Sequence, residues 1–329
     1  MDLVDTLKKK INVLEEGDHI PGLKAVLLHI ETAFRHLARG QDYDDDTAFT
    51  DAIYRTNQAF EGSIKEAYRV LAGYDPAKKR PYDIEIYLEK NSVFRGRVLN
   101  QLTTYRTEWR NPSAHDYKLD FDESEAFLAI ISVSAFACLL LDQIAESLAY
   151  AKAQKQAEAK KGQTAEALAL TLDADLLTRV TSLLEQFCKM HMPASSSTNM
   201  PASPRTVMET EAQVIGALHG FLAIFSPDLS VLTDAVIGSE RRLTVDLIVQ
   251  RGNERIAIEL KRRFIRMRHE AAIAQVQRYL QVGGFKQAVL LYVPDGPGEM
   301  ERLDYIAENS GESIVVLAPH GSNLTRSTN

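Results

Sequence analysis

The stretch VDLIVQRGNERIAIELK, Val245 to Lys261, decides the reading of this chain. Two apolar runs, Leu243–Gln250 and Arg255–Lys261, flank the turn-forming residues Arg251-Gly252-Asn253-Glu254, which predicts a β-hairpin. With those four residues as the loop, Gln250 pairs with Arg255 and Asp246 falls opposite Glu259. Side chains alternate along a strand, so one face carries Val245, Leu247, Val249, Ile256, Ile258 and Leu260. The other face carries Asp246, Glu259 and Lys261. Opposed residues have Cβ atoms ~4.5–5.5 Å apart, and two carboxylates that close repel unless a cation or a shared proton stabilises them. Hard oxygen ligands in that arrangement suit Mg²⁺ or Mn²⁺, which keep several waters. Lys261, next along the face from Glu259, could hold an attacking water or steady negative charge on a phosphate.

Outward from the hairpin the pattern is mixed α/β. Val207–Phe225 predicts a helix before it, and His269–Gln281 a helix after it, stopped by Gly283-Gly284. Ala288–Val293 and Ser313–Ala318 predict further strands, with a helix over about Pro297–Glu308 between them. No phosphate-binding GxxxxGK[ST] loop or dinucleotide GxGxxG loop occurs in the chain.

In this order of elements, Val245–Lys261 resembles the core of the PD-(D/E)xK phosphodiesterase superfamily, the fold of many restriction endonucleases. Asp246 matches the first acid and Glu259-Leu260-Lys261 the E-x-K, with Val245 standing where the name-giving proline would be. Gln275 and Tyr279, at i,i+4 on the following helix, resemble the QxxxY motif of the Mrr-like branch. Glu211, on the preceding helix, stands where these folds often add a third acid, although Glu209 is close enough to compete for that place. The resemblance covers roughly 205–320. It implies Mg²⁺- or Mn²⁺-dependent hydrolysis of DNA, with Asp246 and Glu259 on the metal, Lys261 assisting the water, and Gln275 orienting the site. The run KRRFIRMR, Lys261 to Arg268, adds five cations just beyond the metal strand. Arg262, Arg263, Arg266 and Arg268, with Tyr279, are the expected nucleic-acid contacts.

Residues 1–150 read as an all-α bundle. Apolar residues recur at three- and four-residue spacing over Leu3–Leu14, Leu23–Leu37, Thr47–Leu71 and Val93–Thr107. A long helix is expected to open at Ser124 as its N-cap, and Pro81–Tyr87 could hold a short extended piece. Between the last two helices, Glu108-Trp109-Arg110-Asn111-Pro112-Ser113-Ala114-His115 predicts a break, because a residue before proline is biased away from helix. Arg110 and His115 could bring a guanidinium and an imidazole into one cleft, able to bind a phosphate and move a proton near neutral pH. RNPSAH resembles the R-N-x-x-x-H signature of HEPN domains, all-α dimerising modules common in bacterial defence and toxin proteins. The stretch Arg55–Lys65 is similar to a HEPN helix that faces the cleft. The resemblance covers roughly 20–150. It implies homodimerisation and metal-independent RNA cleavage, with His115 transferring the proton and Arg110 stabilising the phosphate.

Between the two domains, 151–204 predicts a helical connector ending in the Ser/Pro linker Met192–Pro204, and 321–329 a flexible tail. At 329 residues and 25% charged, 45% hydrophobic composition, the chain is an ordinary multidomain globular protein. Its net charge of −7 argues against nucleic acid only until it is divided. Residues 1–150 hold 18 Lys and Arg against 25 Asp and Glu, while 151–329 hold 20 of each. The whole deficit lies in the helical half, and 205–286 is locally positive. Two cysteines, Cys138 and Cys188, are too few for a disulfide framework or a zinc site, and point to a reduced setting. The run Phe127–Leu141 is short for a membrane span and predicts a buried core helix.

Together these readings anticipate a cytoplasmic anti-phage defence nuclease acting on DNA. Its helical domain would form a homodimer, and another defence-system subunit is a candidate partner. Two alternatives stand beside it: a HEPN ribonuclease whose second domain only binds nucleic acid, and a non-catalytic dimeric adaptor.

Overall fold

A computed structural model describes residues 3–115, 118–169, 173–191, 210–238, 243–294, 299–306 and 312–322. The chain divides into two compact units, Met1–Leu148 and Ala149–Asn329. The Ser/Pro linker and the residues 323–329 of the expected tail lie outside the described residues.

The first unit is helical: α1 (Leu3–Asn12), α2 (His19–Tyr43), α3 (Thr47–Leu71), α4 (Pro81–Lys90), α5 (Gly96–Tyr105), α6 (Asn111–His115) and the first half of α7 (Glu123–Ala169). The apolar stripe of α3 buries Ala52, Ile53, Phe60 and Ile64 against its neighbours. Phe60 stacks on Tyr105 with ring centroids 4.7 Å apart and meets Phe136 of α7 at 5.4 Å. The segment 81–87 is helix rather than extended. Pro81 occupies the first turn of α4, where its missing N–H costs no intrahelical bond. The expected break before Pro112 is also absent. A π-helical turn, Arg106–Arg110, carries the chain from α5 into α6, and Asn111 is itself helical at φ −70°, ψ −47°. The Asn111 N–H reaches back to Arg106 O, so the wider turn absorbs the proline without ending the helix. The cap of α7 is Asp122 rather than Ser124. Asp122 Oδ1 accepts from the Glu125 N–H at 2.8 Å, and Glu125 Oε2 accepts from the Asp122 N–H at 2.9 Å.

By length and composition, 123–160 of α7 could cross a bilayer, but half of its most apolar window is buried in the fold, including Ile130, Val133 and Phe136. That is how a core helix uses such a run.

The second unit is a three-layer α/β/α arrangement. It contains α8 (Leu176–His191), α9 (Glu211–Phe225), β1 (Ser230–Val236), β2 (Thr244–Arg251), β3 (Glu254–Lys261), α10 (Arg266–Gly283), β4 (Gln287–Tyr292), β5 (Met300–Ile306) and β6 (Ser313–Pro319). The six strands form one mixed sheet in the order β1-β2-β3-β4-β6-β5. β3, β4 and β6 are parallel, while β1–β2, β2–β3 and β5–β6 are antiparallel. One face of the sheet packs Leu247, Val249, Ile258 and Leu291 against α8 and α9. The other packs Ile248, Ala257, Leu290 and Val316 against Ala272, Val276 and Tyr279 of α10.

The helical stretch expected to be a connector is therefore part of this core. Leu176, Val180, Leu183, Leu184 and Phe187 of α8 are all buried, and Ala153 of α7 joins them. The stretch expected to be helical around 297–308 holds the edge strand β5, paired along its length with β6. Pairing with an exposed sheet edge overrides the helix propensity of Glu, Met, Arg and Leu there.

Candidate active site

The β2–β3 hairpin closes more tightly than a four-residue loop. Arg251 pairs with Glu254, leaving only Gly252 and Asn253 as the turn. Gly252 sits at φ +58°, a conformation open to glycine at no steric cost. The register is the expected one, with Gln250 opposite Arg255 and Leu247 opposite Ile258.

The regular ladder stops at Leu247–Ile258. Beyond it the Leu260 N–H donates a 2.7 Å hydrogen bond to Asp246 Oδ2, so a side chain takes over from main chain where the strands part. The β1–β2 register also passes over this step, running from Thr233–Leu247 to Ala235–Val245, and Asp234 between them stands at φ +49°. Alternation fails here in one respect: Val245 packs in the cluster on the α10 side, apart from Leu247 and Val249.

Glu259 is 3% exposed and surrounded by donors. Its Oε1 accepts from Gln275 Nε2 at 2.8 Å and pairs with Lys261 Nζ. Its Oε2 accepts from Tyr279 OH at 2.7 Å. Gln275 Nε2 also lies 2.6 Å from Tyr279 OH. The i,i+4 spacing of Gln275 and Tyr279 places both on one side of α10, aimed at the same carboxylate.

Asp246 is burdened by its surroundings. Burial pushes its carboxyl up to about 8, and the charges of Glu259 and Glu211 push in the same direction. The Leu260 N–H and Lys261 work against them. Glu211 opens α9, behind a capping box in which Thr210 and Gln213 each bond the other's main-chain N–H. Its charge adds to the upward push on Asp246. Glu209 lies outside the described residues.

Tyr279 is fully buried, and its hydroxyl is already engaged by Glu259. It supports the carboxylate, and its burial leaves it no exposed surface for the nucleic-acid contact expected of it. Burial and the Glu259 charge hold its phenol well above the usual tyrosine range. Arg263, Arg266 and Arg268 are exposed, with Arg262 half-buried. Lys261, Arg262, Arg263 and Arg268 line one cleft of about 640 Å³ together with Gln275.

What anchors this basic segment is an aromatic cluster with no signature in the local sequence pattern. His269 lies between two phenols, Nδ1 3.0 Å from Tyr292 OH and Nε2 3.3 Å from Tyr305 OH. Phe264 packs edge-on against Tyr292 at 5.1 Å. Burial holds the His269 imidazole below its usual range, toward the neutral form, which has one ring N–H to donate and one bare nitrogen to accept.

Among the described residues no three or more His, Cys, Asp or Glu side chains are gathered as a complete metal cage. Mg²⁺ does not require one, being commonly held by one or two carboxylates with waters and substrate phosphate oxygens. The donor set fits that mode. Asp246 Oδ1 and the second lone pair of Glu259 Oε2 remain after the hydrogen bonds described above, and a divalent cation would offset the burial and the like-charge repulsion that raise Asp246.

In the first unit, α3 faces the segment that carries Arg110. Asn57 Nδ2 donates to Ser113 Oγ at 2.8 Å, and Tyr105 OH bonds Thr56 Oγ1 and Asn57 Oδ1 at 2.7 and 2.9 Å. Arg110 turns to Asn111 Oδ1 at 3.2 Å and to Glu61 at 3.8 Å. His115 is exposed, and among the described residues no hydrogen bond joins it to Arg110. Trp109 packs beside Ile53, Phe121 and Ala129.

Comparison with known proteins returned no matching family model, no matching curated protein and no matching solved structure.

Proposed function

We propose that this protein is a divalent-metal-dependent endonuclease that hydrolyses DNA phosphodiester bonds with its second unit. One observation carries the reading. Asp246, Glu259, Lys261 and Gln275 converge where β2 and β3 part, at the open end of the parallel strands, next to a cleft rimmed by cations. Ligands of open α/β sheets bind outside the carboxyl ends of such strands.

Asp246 and Glu259 would hold Mg²⁺ or Mn²⁺, which when bound supplies Lewis-acid stabilisation of the phosphate and its attacking water. The side chains do the rest. Tyr279 and Gln275 fix both oxygens of Glu259, so that carboxylate cannot swing away. Glu259 in turn tethers the Lys261 ammonium, which orients a water for attack on phosphorus and offsets charge on the phosphoryl oxygens. The new P–O bond comes from water, which gives up a proton to solvent, while the P–O bond to the leaving deoxyribose breaks and the leaving oxygen takes up a proton from solvent.

A setting in anti-phage defence, and dimerisation through the helical unit, rest on the two motif resemblances. The ribonuclease alternative ranks second, because Arg110 is turned toward Glu61 and Asn111 with no bond to His115. Cleavage of plasmid DNA and of RNA, each with Mg²⁺ and with EDTA, tests the proposal. Mg²⁺-dependent DNA cleavage lost in Asp246→Ala and Lys261→Ala is expected, and DNA cleavage unaffected by either substitution overturns it.

A further inference from the structure

The cleft beside Lys261 has two chemistries. Lys261, Arg262, Arg263 and Arg268 supply positive charge, and among the described residues no carboxylate lines it. Its walls and floor are apolar: Ile265 and Ala271 are exposed at the rim, while Ala272 and Tyr292 are buried beneath. The Tyr292 ring is fixed by Phe264 and by the bond to His269.

A groove that only tracks the backbone of a double helix needs cations, since the phosphates face outward and the bases are stacked away. The apolar surface that Ile265 and Ala271 expose among the cations serves a different ligand face, the flat surface of an unstacked base. At about 640 Å³ the cleft falls in the range that encloses a small organic ligand, ~300–1,000 Å³, which is nucleotide-sized. It also adjoins the chemistry directly, because Lys261 and Gln275 both line it and both bond Glu259.

We infer that, given the nuclease reading above, the substrate reaches this site as single-stranded DNA, with one unstacked nucleotide seated in the cleft and its phosphate against Lys261 and the arginines. Duplex DNA would be bound only where a strand is splayed or already unpaired. The four cations set an upper bound on the salt dependence, a slope of about −3 in log affinity against log salt, from about −0.7 per phosphate neutralised on single strands.

The experiment uses the full chain in EDTA, so that binding is read without turnover. Fluorescence anisotropy compares a labelled 12-nucleotide single strand with the 12-base-pair duplex of the same sequence. The single strand is expected to bind at least tenfold more tightly. Ala271→Trp, which fills the cleft from an exposed position, and Ile265→Asp, which sets a negative charge on its rim, are each expected to weaken single-strand binding at least tenfold while the melting temperature holds. A duplex bound as tightly as the single strand overturns the inference, as does unchanged single-strand affinity in both folded variants. Failure of the nuclease reading looks different: neither substrate is cleaved on adding Mg²⁺ or Mn²⁺, whatever the binding preference.

Discussion

The main-chain N–H of Leu260 donates to Asp246 Oδ2 at 2.7 Å, tying a candidate metal ligand on one strand to the backbone of the next at the point where their ladder ends. Asp246 thus has a structural partner as well as its proposed chemical task, and the two can be separated. Asp246→Asn keeps a carbonyl oxygen able to accept from Leu260 and removes a buried charge, so its melting temperature at pH 8.5 is expected to equal or exceed the parent's. Asp246→Ala leaves the Leu260 N–H without that acceptor, at a cost of about 1–3 kcal/mol. Both variants are expected to lose metal-dependent cleavage, measured as plasmid nicking beside thermal melts.

Proton release gives a second check. The folded Asp246 carboxyl is raised to about 8, above its unfolded value near 3.8. Ionising it in the folded protein therefore costs stability, a cost absent below pH 4 and complete above pH 8. A cation must displace that proton, so its affinity rises with pH across this window. The Mn²⁺-induced rise in melting temperature is expected to be larger at pH 8.5 than at pH 6.5, and an equal rise at both would contradict the assignment.

Lys261 separates binding from chemistry. Lys261→Met keeps the aliphatic stem and removes the ammonium, so the Mn²⁺-induced stabilisation is expected to persist. Cleavage is expected to fall about 10²–10³-fold, the scale for losing a group that stabilises transition-state charge.

The core position of α8 predicts where the chain can be cut. Fully burying a Leu, Val or Phe side chain is worth about 1.5–3 kcal/mol, and six such residues of α8 are buried in the second unit. Their loss would consume most of a typical domain stability of ~5–15 kcal/mol. A fragment 149–329 is expected to melt cooperatively, whereas 205–329 is expected to show no cooperative transition by circular dichroism.

In the helical unit, Tyr105 is fully buried and bonds Thr56 and Asn57 through its hydroxyl. Tyr105→Phe keeps the stack on Phe60 but strands those partners. A destabilisation of about 1–3 kcal/mol in urea unfolding is expected.

Much of this arrangement was legible in the chain. The hairpin register follows from Gly252-Asn253 between two apolar runs, and it alone sets Asp246 and Glu259 at corresponding positions. The convergence of Gln275 and Tyr279 follows from helical spacing. What escaped depends on partners remote in sequence. The stripe of α8 is visible as periodicity, but nothing local says whether it lies against a sheet or faces water. Residues 300–306 have the composition of a helix and become a strand because β6 offers an open edge. Tyr279 looked like a nucleic-acid contact because spacing gives a side chain's direction but not its depth. Val245 left the expected face at the step where the regular β1–β2 and β2–β3 ladders are interrupted, which periodicity alone does not show.

The tight turn at Gly252-Asn253 has a kinetic consequence. It makes the β2–β3 pairing the most local contact of the sheet, able to form in about 1–10 μs, whereas Gln275 and Tyr279 arrive only with the slower α10 crossover to β4. The two carboxylates are therefore brought together in the nascent hairpin with only Lys261 at hand, before Gln275 and Tyr279 arrive to hold Glu259. Asp246→Asn, which removes one of the two charges, is expected to refold faster than the parent at pH 8.5, followed by stopped-flow circular dichroism.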